Sequence, residues 1–157
     1  MTKTFVLAAV LSAGAAAAMA AEPAGIVIWR ASELKGYAQK LAPKMNEKKV
    51  ASETLARFGN HLTMIAHREG DGEAELHELQ ADVFVVQSGE ATLVLGGEVV
   101  DAKTTAANEV RGPSIKGGQR HTVAAGDIVH IPAKVAHQLL IPAGTKFTYF
   151  VVKVDTP

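Results

Sequence analysis

The stretch from Glu75 to Gly89, ELHELQADVFVVQSG, decides how this chain folds. Glu75 and His77 are two residues apart on a predicted strand, so both side chains project from the same face of the sheet. Asp82 is an odd five residues from His77, and it joins that face only if residues 78–81 turn the chain into a new strand. The stretch therefore predicts two strands joined by a short turn, with acidic and imidazole side chains directed toward one space.

A second stretch, from Gly126 to Ile141, reads GDIVHIPAKVAHQLLI and places His137 just after an apolar strand and Pro132. Two imidazoles and two carboxylates from separate strands suit a divalent metal that prefers nitrogen and oxygen ligands. The candidate metal ligands are Glu75, His77, Asp82 and His137. Glu75 has two further roles open to it: a general base, or the partner of a nearby cation such as Arg68.

Taken together, the two stretches resemble the paired motifs of the cupin superfamily. The first family motif is Gly, His-x-His, three or four residues, Glu, six residues and Gly; the second is Gly, five residues, Pro-x-Gly, two residues, His, three residues and Asn. The positions that agree are His77, Gly89, Gly126, Pro132 and His137. The positions that depart are Glu75 in place of the first His, Asp82 in place of Glu, Lys134 in place of Gly and Ile141 in place of Asn.

The resemblance implies an all-β fold, a double-stranded β-helix (cupin, jelly-roll) barrel of the cupin-2 type, and a homodimer. It also implies a divalent metal ion in the barrel, which could be Mn, Fe, Zn, Ni or Cu. The exchange of Glu for Asp at residue 82 preserves the chemistry of the ligand, whereas Glu75 in place of His alters the charge and hardness of the site.

The hydropathy pattern around the two stretches agrees with a barrel. From residue 50 onward, apolar residues alternate with polar ones and turn residues recur at regular intervals, which is typical of antiparallel strands. We expect an N-terminal strand and helix in residues 21–49 and the barrel domain in 50–157. The predicted strands are Glu53 to Phe58, Leu62 to Arg68, Ala74 to His77, Asp82 to Gln87, Ala91 to Leu95, Ile128 to Ile131, Gln138 to Ile141 and Phe147 to Val154.

Before the barrel, helical spacing of apolar residues predicts one helix from Ser32, its N-cap, to Leu41, where Pro43 ends the pattern. A short apolar run, Ile26 to Trp29, is a candidate first strand. Between Ala102 and Arg120 the chain is polar and without a clear period, so we expect a long loop or an insertion. Its charged residues Glu109, Arg111 and Lys116 could meet an anionic ligand, but a solvated surface is the favoured interpretation.

If Asp82 faces the cavity, the alternation of a strand turns Val83 and Val85 outward. The residues expected to line the ligand pocket are Phe84, Val86, His130, Gln138 and Tyr149. An apolar outer face must itself be covered, either by a second subunit or by the predicted helix.

The chain has 157 residues and no cysteine, which excludes thiol nucleophiles, Cys-ligated metals and disulfides. Its 16 basic and 16 acidic residues give a formal net charge of +0, so the basic field that nucleic-acid binding needs is missing. Lys3, the apolar run that follows it and Ala18-Met19-Ala20 predict a signal peptide over residues 1–20. We therefore expect a secreted or periplasmic protein without a stable membrane anchor.

Two functions are compatible with these residues. The first is a metal-dependent oxygenase or isomerase/lyase that acts on a small polar substrate, with Glu75 as the general base if it is free of the metal. The second is a non-catalytic barrel that binds a sugar or an organic acid without a tightly bound metal. The fold alone does not choose between them, because one barrel can carry many unrelated activities.

Overall fold

The computed structural model describes residues 24–157, and the predicted signal peptide lies outside the described residues. One helix, α1 (Ala31–Leu41), continues into a 3₁₀ turn at Ala42–Lys44. Thirteen strands follow in this part of the chain: β1 (Val50–Arg57), β2 (His61–Arg68), β3 (Ala74–His77), β4 (Gln80–Ser88), β5 (Glu90–Leu95), β6 (Glu98–Val99), β7 (Lys103–Ala106), β8 (Glu109–Gly112), β9 (Ile115–Lys116), β10 (Gln119–Ala124), β11 (Ile128–Ile131), β12 (His137–Leu140) and β13 (Phe147–Asp155).

Two antiparallel sheets form the barrel. One has the strand order β1-β2-β13-β4-β11 and the other has the order β10-β5-β12-β3-β8-β7. A small ribbon of β6 and β9 stands apart from both sheets. Consecutive strands β3 and β4 lie in different sheets, so residues 78–79 carry the chain from one wall to the other. The all-β double-stranded architecture expected from the sequence is confirmed, and all eight predicted strands are present, with their ends shifted by at most three residues.

Alternation along β4 separates an inner core from an outer one. Phe84 and Val86 belong to the inner cluster between the sheets, whereas Val85 packs against the outer cluster. Phe147 and Leu93, with 0% and 1% of their surface exposed, also belong to the inner cluster. This is the period-two pattern expected of strands with both faces covered.

Helix α1 covers the outer face of the five-stranded sheet. Leu34 and Leu41 are buried on the side of the helix that meets Ile65 of β2 and Phe150 of β13. The helix was one of two covers expected from the sequence, and the structure confirms it. A second subunit stays a prediction.

Three local expectations are wrong. Residues 26–29 form no strand: Ile26 and Ile28 are exposed, and Trp29 instead packs near Phe150. The N-cap of α1 is Arg30 rather than Ser32, and it makes no side-chain capping bond. Residues 102–120 are not a loop, because they form β7, β8, β9 and the start of β10. All four residues of β7 are exposed, so the strand has no alternation of buried and exposed residues that the sequence could reveal. Backbone pairing to β8 holds it in the sheet.

Two motif positions show why the backbone prefers glycine there. Gly89 has φ +82°, and a Cβ atom at this position would overlap the carbonyl oxygen of Lys146. Lys134 stands where the family motif has glycine, yet it keeps the left-handed backbone with φ +66°. Its amide donates a 2.7 Å hydrogen bond to the carbonyl oxygen of His77, which ties the second motif to the first.

Among residues 24–157, no helix combines the length and apolar character needed to cross a membrane.

Replacement of Leu41 by Ala tests the role of α1 as the cover of the sheet. Leu41 is 1% exposed, and loss of a fully buried Leu side chain costs about 2–5 kcal/mol. We expect the free energy of unfolding in urea to fall by that amount, with Gln39→Ala on the exposed side of the same helix as the control. Equal free energies of unfolding for the two variants would show that burial of Leu41 against the sheet does not stabilise the protein.

Candidate functional site

Four strands bring the candidate site together between the two sheets. His137 on β12 lies directly opposite Glu75 on β3 in the six-stranded sheet. Lys153 on β13 lies directly opposite Asp82 on β4 in the facing sheet. His77, two residues beyond Glu75, shares the inward face of β3. The site is therefore built from two cross-strand pairs that face each other across the barrel.

His137 presents an unpartnered nitrogen to this space. Its Nδ1 lies 3.1 Å from the carbonyl oxygen of Val135, which accepts the ring proton and leaves a lone pair on Nε2. That Nε2 is buried and has no hydrogen-bond partner. Burial lowers the pKa of His137 and keeps the imidazole neutral, the form that binds a metal.

Glu75 divides its two oxygens between cations and imidazoles. Oε1 accepts a 2.9 Å hydrogen bond from Arg111 and lies 3.5 Å from Nη2 of Arg68. Oε2 lies 3.6 Å from Nε2 of His77 and 4.0 Å from Nε2 of His137. The arginines thus orient the carboxylate, and its second oxygen faces the two rings. The expected contact between Glu75 and Arg68 is present.

His77 is held at both ring nitrogens. Nδ1 contacts the carboxylate of Glu109, and Nε2 accepts a 2.8 Å hydrogen bond from Nζ of Lys153. Burial lowers the pKa of His77, but hydrogen bonds to Asp82 and Glu109 outweigh burial and raise the pKa to about 9. The negative charge of Asp82 and Glu109 favours a positive charge at Nε2, which either a second ring proton or the ammonium of Lys153 can supply, but not both. In this structure Lys153 supplies it, and the neutral ring carries its single proton on Nδ1, toward Glu109.

Asp82 is almost completely buried, with 2% of its side chain exposed. Both of its oxygens accept hydrogen bonds of 2.9 Å from Nζ of Lys153. Burial raises the pKa of Asp82, but the hydrogen bond with His77 and the charge of Lys153 outweigh it and hold the pKa below its usual range. Asp82 Oδ2 also lies 3.4 Å from Nε2 of His77.

Charges in this network balance. Within residues 24–157, the joined side chains comprise three carboxylates and three cations. The carboxylates are Glu75, Asp82 and Glu109, and the cations are Arg68, Arg111 and Lys153. Burying ions in an apolar barrel is costly unless each one is paired and hydrogen-bonded, which this arrangement achieves.

The donor atoms fit a divalent metal. Glu75, His77 and His137 each offer one ligand atom, and these three atoms lie within 4.8 Å of one another. Two imidazole nitrogens and one carboxylate oxygen form a donor set that zinc and other first-row metals accept. The unpartnered Nε2 of His137 is the strongest sign of fit, because a buried polar atom without a partner is rare. Both oxygens of Asp82 accept hydrogen bonds from Lys153. A role for Asp82 as a further metal ligand stays a prediction.

Two spaces adjoin the site and have lining residues in common. An inner cavity of about 180 Å³ adjoins Asp82, Phe84, Tyr149 and Lys153. An outer cleft of about 520 Å³ lies beside residues 46–48. The residues that line both spaces, and so lie between them, are Val50, Arg68, Glu75 and Arg111.

Tyr149 fixes one wall of the inner cavity. Its hydroxyl accepts a 3.0 Å hydrogen bond from Nε of Arg68, and burial raises the pKa of the phenol. The ring packs against Phe84, with 4.9 Å between the ring centroids. The predicted placement of these two residues at the cavity agrees with the structure.

Other predicted pocket residues lie elsewhere. Val86 packs in the inner core rather than at the cavity. His130 is exposed, because Ile131 rather than His130 faces inward from β11. The amide of Gln138 is buried and donates to the carbonyl oxygens of Gly72 and Pro113, so it ties loops together.

Sequence reasoning missed three charged residues of the site. Glu109 and Arg111 were expected on a solvated surface, and that interpretation is wrong for both, since β8 pairs with β3 and brings them to His77 and Glu75. Lys116 is exposed, as expected. Lys153 carried one available signal: it lies two and four residues beyond Val151 and Tyr149 in β13, so the same alternation points it inward.

No protein-family model and no curated protein matches the chain. Solved structures do match it. A protein with a double-stranded β-helix domain from Klebsiella pneumoniae aligns with a TM-score of 0.56 at 16% identity, over 82% of this chain and 89% of that one. A cupin-2 domain from Rhodospirillum rubrum aligns with a TM-score of 0.51 at 16% identity, over 68% of this chain and 60% of that one. KdgF from Halomonas sp. aligns with a TM-score of 0.51 at 13% identity, over 71% and 84%.

The chain therefore has the double-stranded β-helix fold that these structures share. The resemblance seen in the two motifs is confirmed at the level of the fold. At these identities the likeness is one of fold, and the chemistry of the site must be argued from this chain's own residues.

Replacement of Glu109 by Gln tests its role behind His77. The carboxylate contacts Nδ1 of His77 and lies 2.5 Å from Nη2 of Arg111, and hydrogen bonds to charged groups contribute about 1.5–3 kcal/mol each. We expect the chelator-treated protein to lose about 1–3 kcal/mol of unfolding free energy in urea. The control is Glu98→Gln, at an exposed position on β6. Equal free energies of unfolding for the two variants would show that Glu109 contributes no more to stability than a solvated surface residue does.

Proposed function

We propose that this protein binds one divalent metal ion through Glu75, His77 and His137. The observation that carries the proposal is the buried, unpartnered Nε2 of His137, which shares its space with Oε2 of Glu75 and Nε2 of His77. The backbone carbonyl of Val135 orients the ring of His137, and Glu109 orients that of His77. Partners of this kind behind metal ligands fix the ring and raise the basicity of the ligand nitrogen.

We further propose that a small polar substrate reaches this site through the outer cleft and undergoes an oxygenase or isomerase/lyase reaction. A bound divalent metal would supply Lewis-acid polarisation, or redox chemistry if it is Fe, Mn or Cu. Phe84 and Tyr149 wall the inner cavity and limit water, while Arg68 and Arg111 hold Glu75 in place. The inner cavity of about 180 Å³ is smaller than the 300–1,000 Å³ typical of sites for drug-sized ligands, which favours a small molecule.

A ligand-binding barrel without a tightly bound metal is the second candidate. It is favoured by the charge balance of the site, in which three cations already neutralise three carboxylates. In that case a sugar or an organic acid would occupy the inner cavity, and His77 and His137 would serve as hydrogen-bonding groups. Metal content separates this candidate from the first.

The metal proposal is tested by the double variant His77→Ala/His137→Ala. Loss of two of the three ligands is expected to abolish metal uptake, because the remaining carboxylate is already bound by arginines. Metal content is measured by elemental mass spectrometry on protein purified without chelators or an affinity tag. The wild type is expected to hold about one equivalent per chain.

The control is His121→Ala, at an exposed histidine on β10, which should retain the metal. Far-UV circular dichroism verifies that the double variant keeps its β-sheet. Equal metal content in the wild type and the double variant would refute the site. A wild type that stays free of metal after incubation with Mn, Fe, Zn, Ni and Cu ions would favour the second candidate.

We also propose that the chain is exported and processed, and that it functions as a secreted or periplasmic homodimer. The support for export is the sequence of residues 1–20, with Lys3 before an apolar run and Ala18-Met19-Ala20 at its end. Intact mass measurement on protein from the compartment outside the cytoplasmic membrane should give a mature N-terminus at Ala21 or Glu22. Recovery of the full-length chain from the cytoplasm alone would contradict export.

A further inference from the structure

Lys153 is a charged group of the site that the proposed metal function does not use. Its side chain is 17% exposed, and Nζ makes three short contacts: 2.9 Å to each oxygen of Asp82 and 2.8 Å to Nε2 of His77. Lysine is rarely so buried unless it is paired. Here the ammonium donates one hydrogen bond toward each of three acceptors, which uses all three of its protons.

The contact with His77 coincides with the place of a metal ligand bond. Nδ1 of His77 is occupied by Glu109, so Nε2 is the ring nitrogen left to face the site. An imidazole nitrogen carries one lone pair, and the hydrogen bond from Lys153 uses it. A metal held by His77 would need the same lone pair. The ammonium and the metal ion therefore cannot both bind Nε2.

Asp82 is affected in the same way. It stands at the carboxylate position of the family motif, and its Oδ2 lies 3.4 Å from Nε2 of His77 and 3.7 Å from Nε2 of His137. Those distances bring it close enough to join a metal site. Both of its oxygens, however, are hydrogen-bonded to Lys153, which compensates the buried charge that a metal would otherwise compensate.

We propose that Lys153 is a resident cation of this site, which a divalent metal must displace from His77 and which keeps Asp82 out of the metal's ligand set. This inference rests on the proposed metal function. Lys153 lines the inner cavity of about 180 Å³, so its flexible chain has space into which the ammonium can withdraw. The lysine lowers the affinity for metal and holds the buried carboxylate neutralised whenever the metal is absent.

The experiment measures metal affinity in Lys153→Met and Lys153→Gln. Zn²⁺ and Mn²⁺ are titrated separately into chelator-treated protein, and the dissociation constants are measured by calorimetry. Without the ammonium, the lone pair of His77 is free and Asp82 can turn to the metal. We expect both variants to bind at least about tenfold more tightly than the wild type, which corresponds to about 1.4 kcal/mol.

The matched control is Lys146→Met, which removes an exposed lysine paired with Glu69 near the start of the same strand, and it should bind as the wild type does. Lys153→Gln guards against loss of the fold, because its amide can still donate to Asp82 while carrying no charge. Circular dichroism and thermal melting verify folding before titration.

The outcomes separate this inference from the function beneath it. Tighter binding in the Lys153 variants and unchanged binding in Lys146→Met would support the competition. Equal or weaker binding in folded Lys153→Gln would overturn it and leave the metal site intact. If neither the wild type nor any variant binds either ion, the metal function fails and the inference fails with it.

Discussion

The compensation of buried charge inside an apolar barrel is the constraint on which this structure depends. Asp82 lies between two sheets with almost no contact with water, and an isolated carboxylate there would cost several kcal/mol of stability. Lys153, directly opposite on the neighbouring strand, compensates that charge from within the same sheet. Glu75 in the facing sheet depends in the same way on Arg68 and Arg111. Asp82 and Glu75 thus each have a basic partner on an adjacent strand.

Residues at the edge of the barrel take part in this charge compensation. Arg111 and Glu109 come from β8, a four-residue strand that pairs with β3 and is followed outward by the exposed β7. Without β8, Glu75 would lose its closest cation and His77 would lose the carboxylate on Nδ1. A segment with little apolar character is therefore tied to the site by electrostatics, while the hydrophobic core is supplied by the longer strands. Helix α1 completes that core by covering the outer face of the five-stranded sheet.

The departures from the cupin motifs become intelligible in this setting. A histidine at position 75 would be neutral and could not pair with two arginines, whereas Glu75 engages them through Oε1 and still offers Oε2 to the imidazoles. Aspartate at position 82 is one methylene shorter than the usual glutamate, and Lys153 fills the space beside it. Glu75 and Asp82 are thus accompanied by the basic residues that balance their charge. The site differs from the family motif in these cations as well as in its candidate metal ligands.

By itself, the sequence determined the barrel and most of its strands, because period-two alternation and turn residues are local properties. It also placed Glu75 and His77 on one face of β3 and put Asp82 beyond a turn, as the structure confirms. What it could not provide was the identity of neighbours distant in the chain. Lys153 is 71 residues from Asp82 and Arg111 is 36 residues from Glu75, and only strand pairing brings them together. Two residues predicted at the cavity lie elsewhere for the same reason. His130 is on the outward face of β11, and the amide of Gln138 binds the carbonyl oxygen of Gly72. Tertiary structure decided the charge balance of the site because electrostatic compensation depends on distance in space, which one-dimensional patterns of hydropathy do not contain.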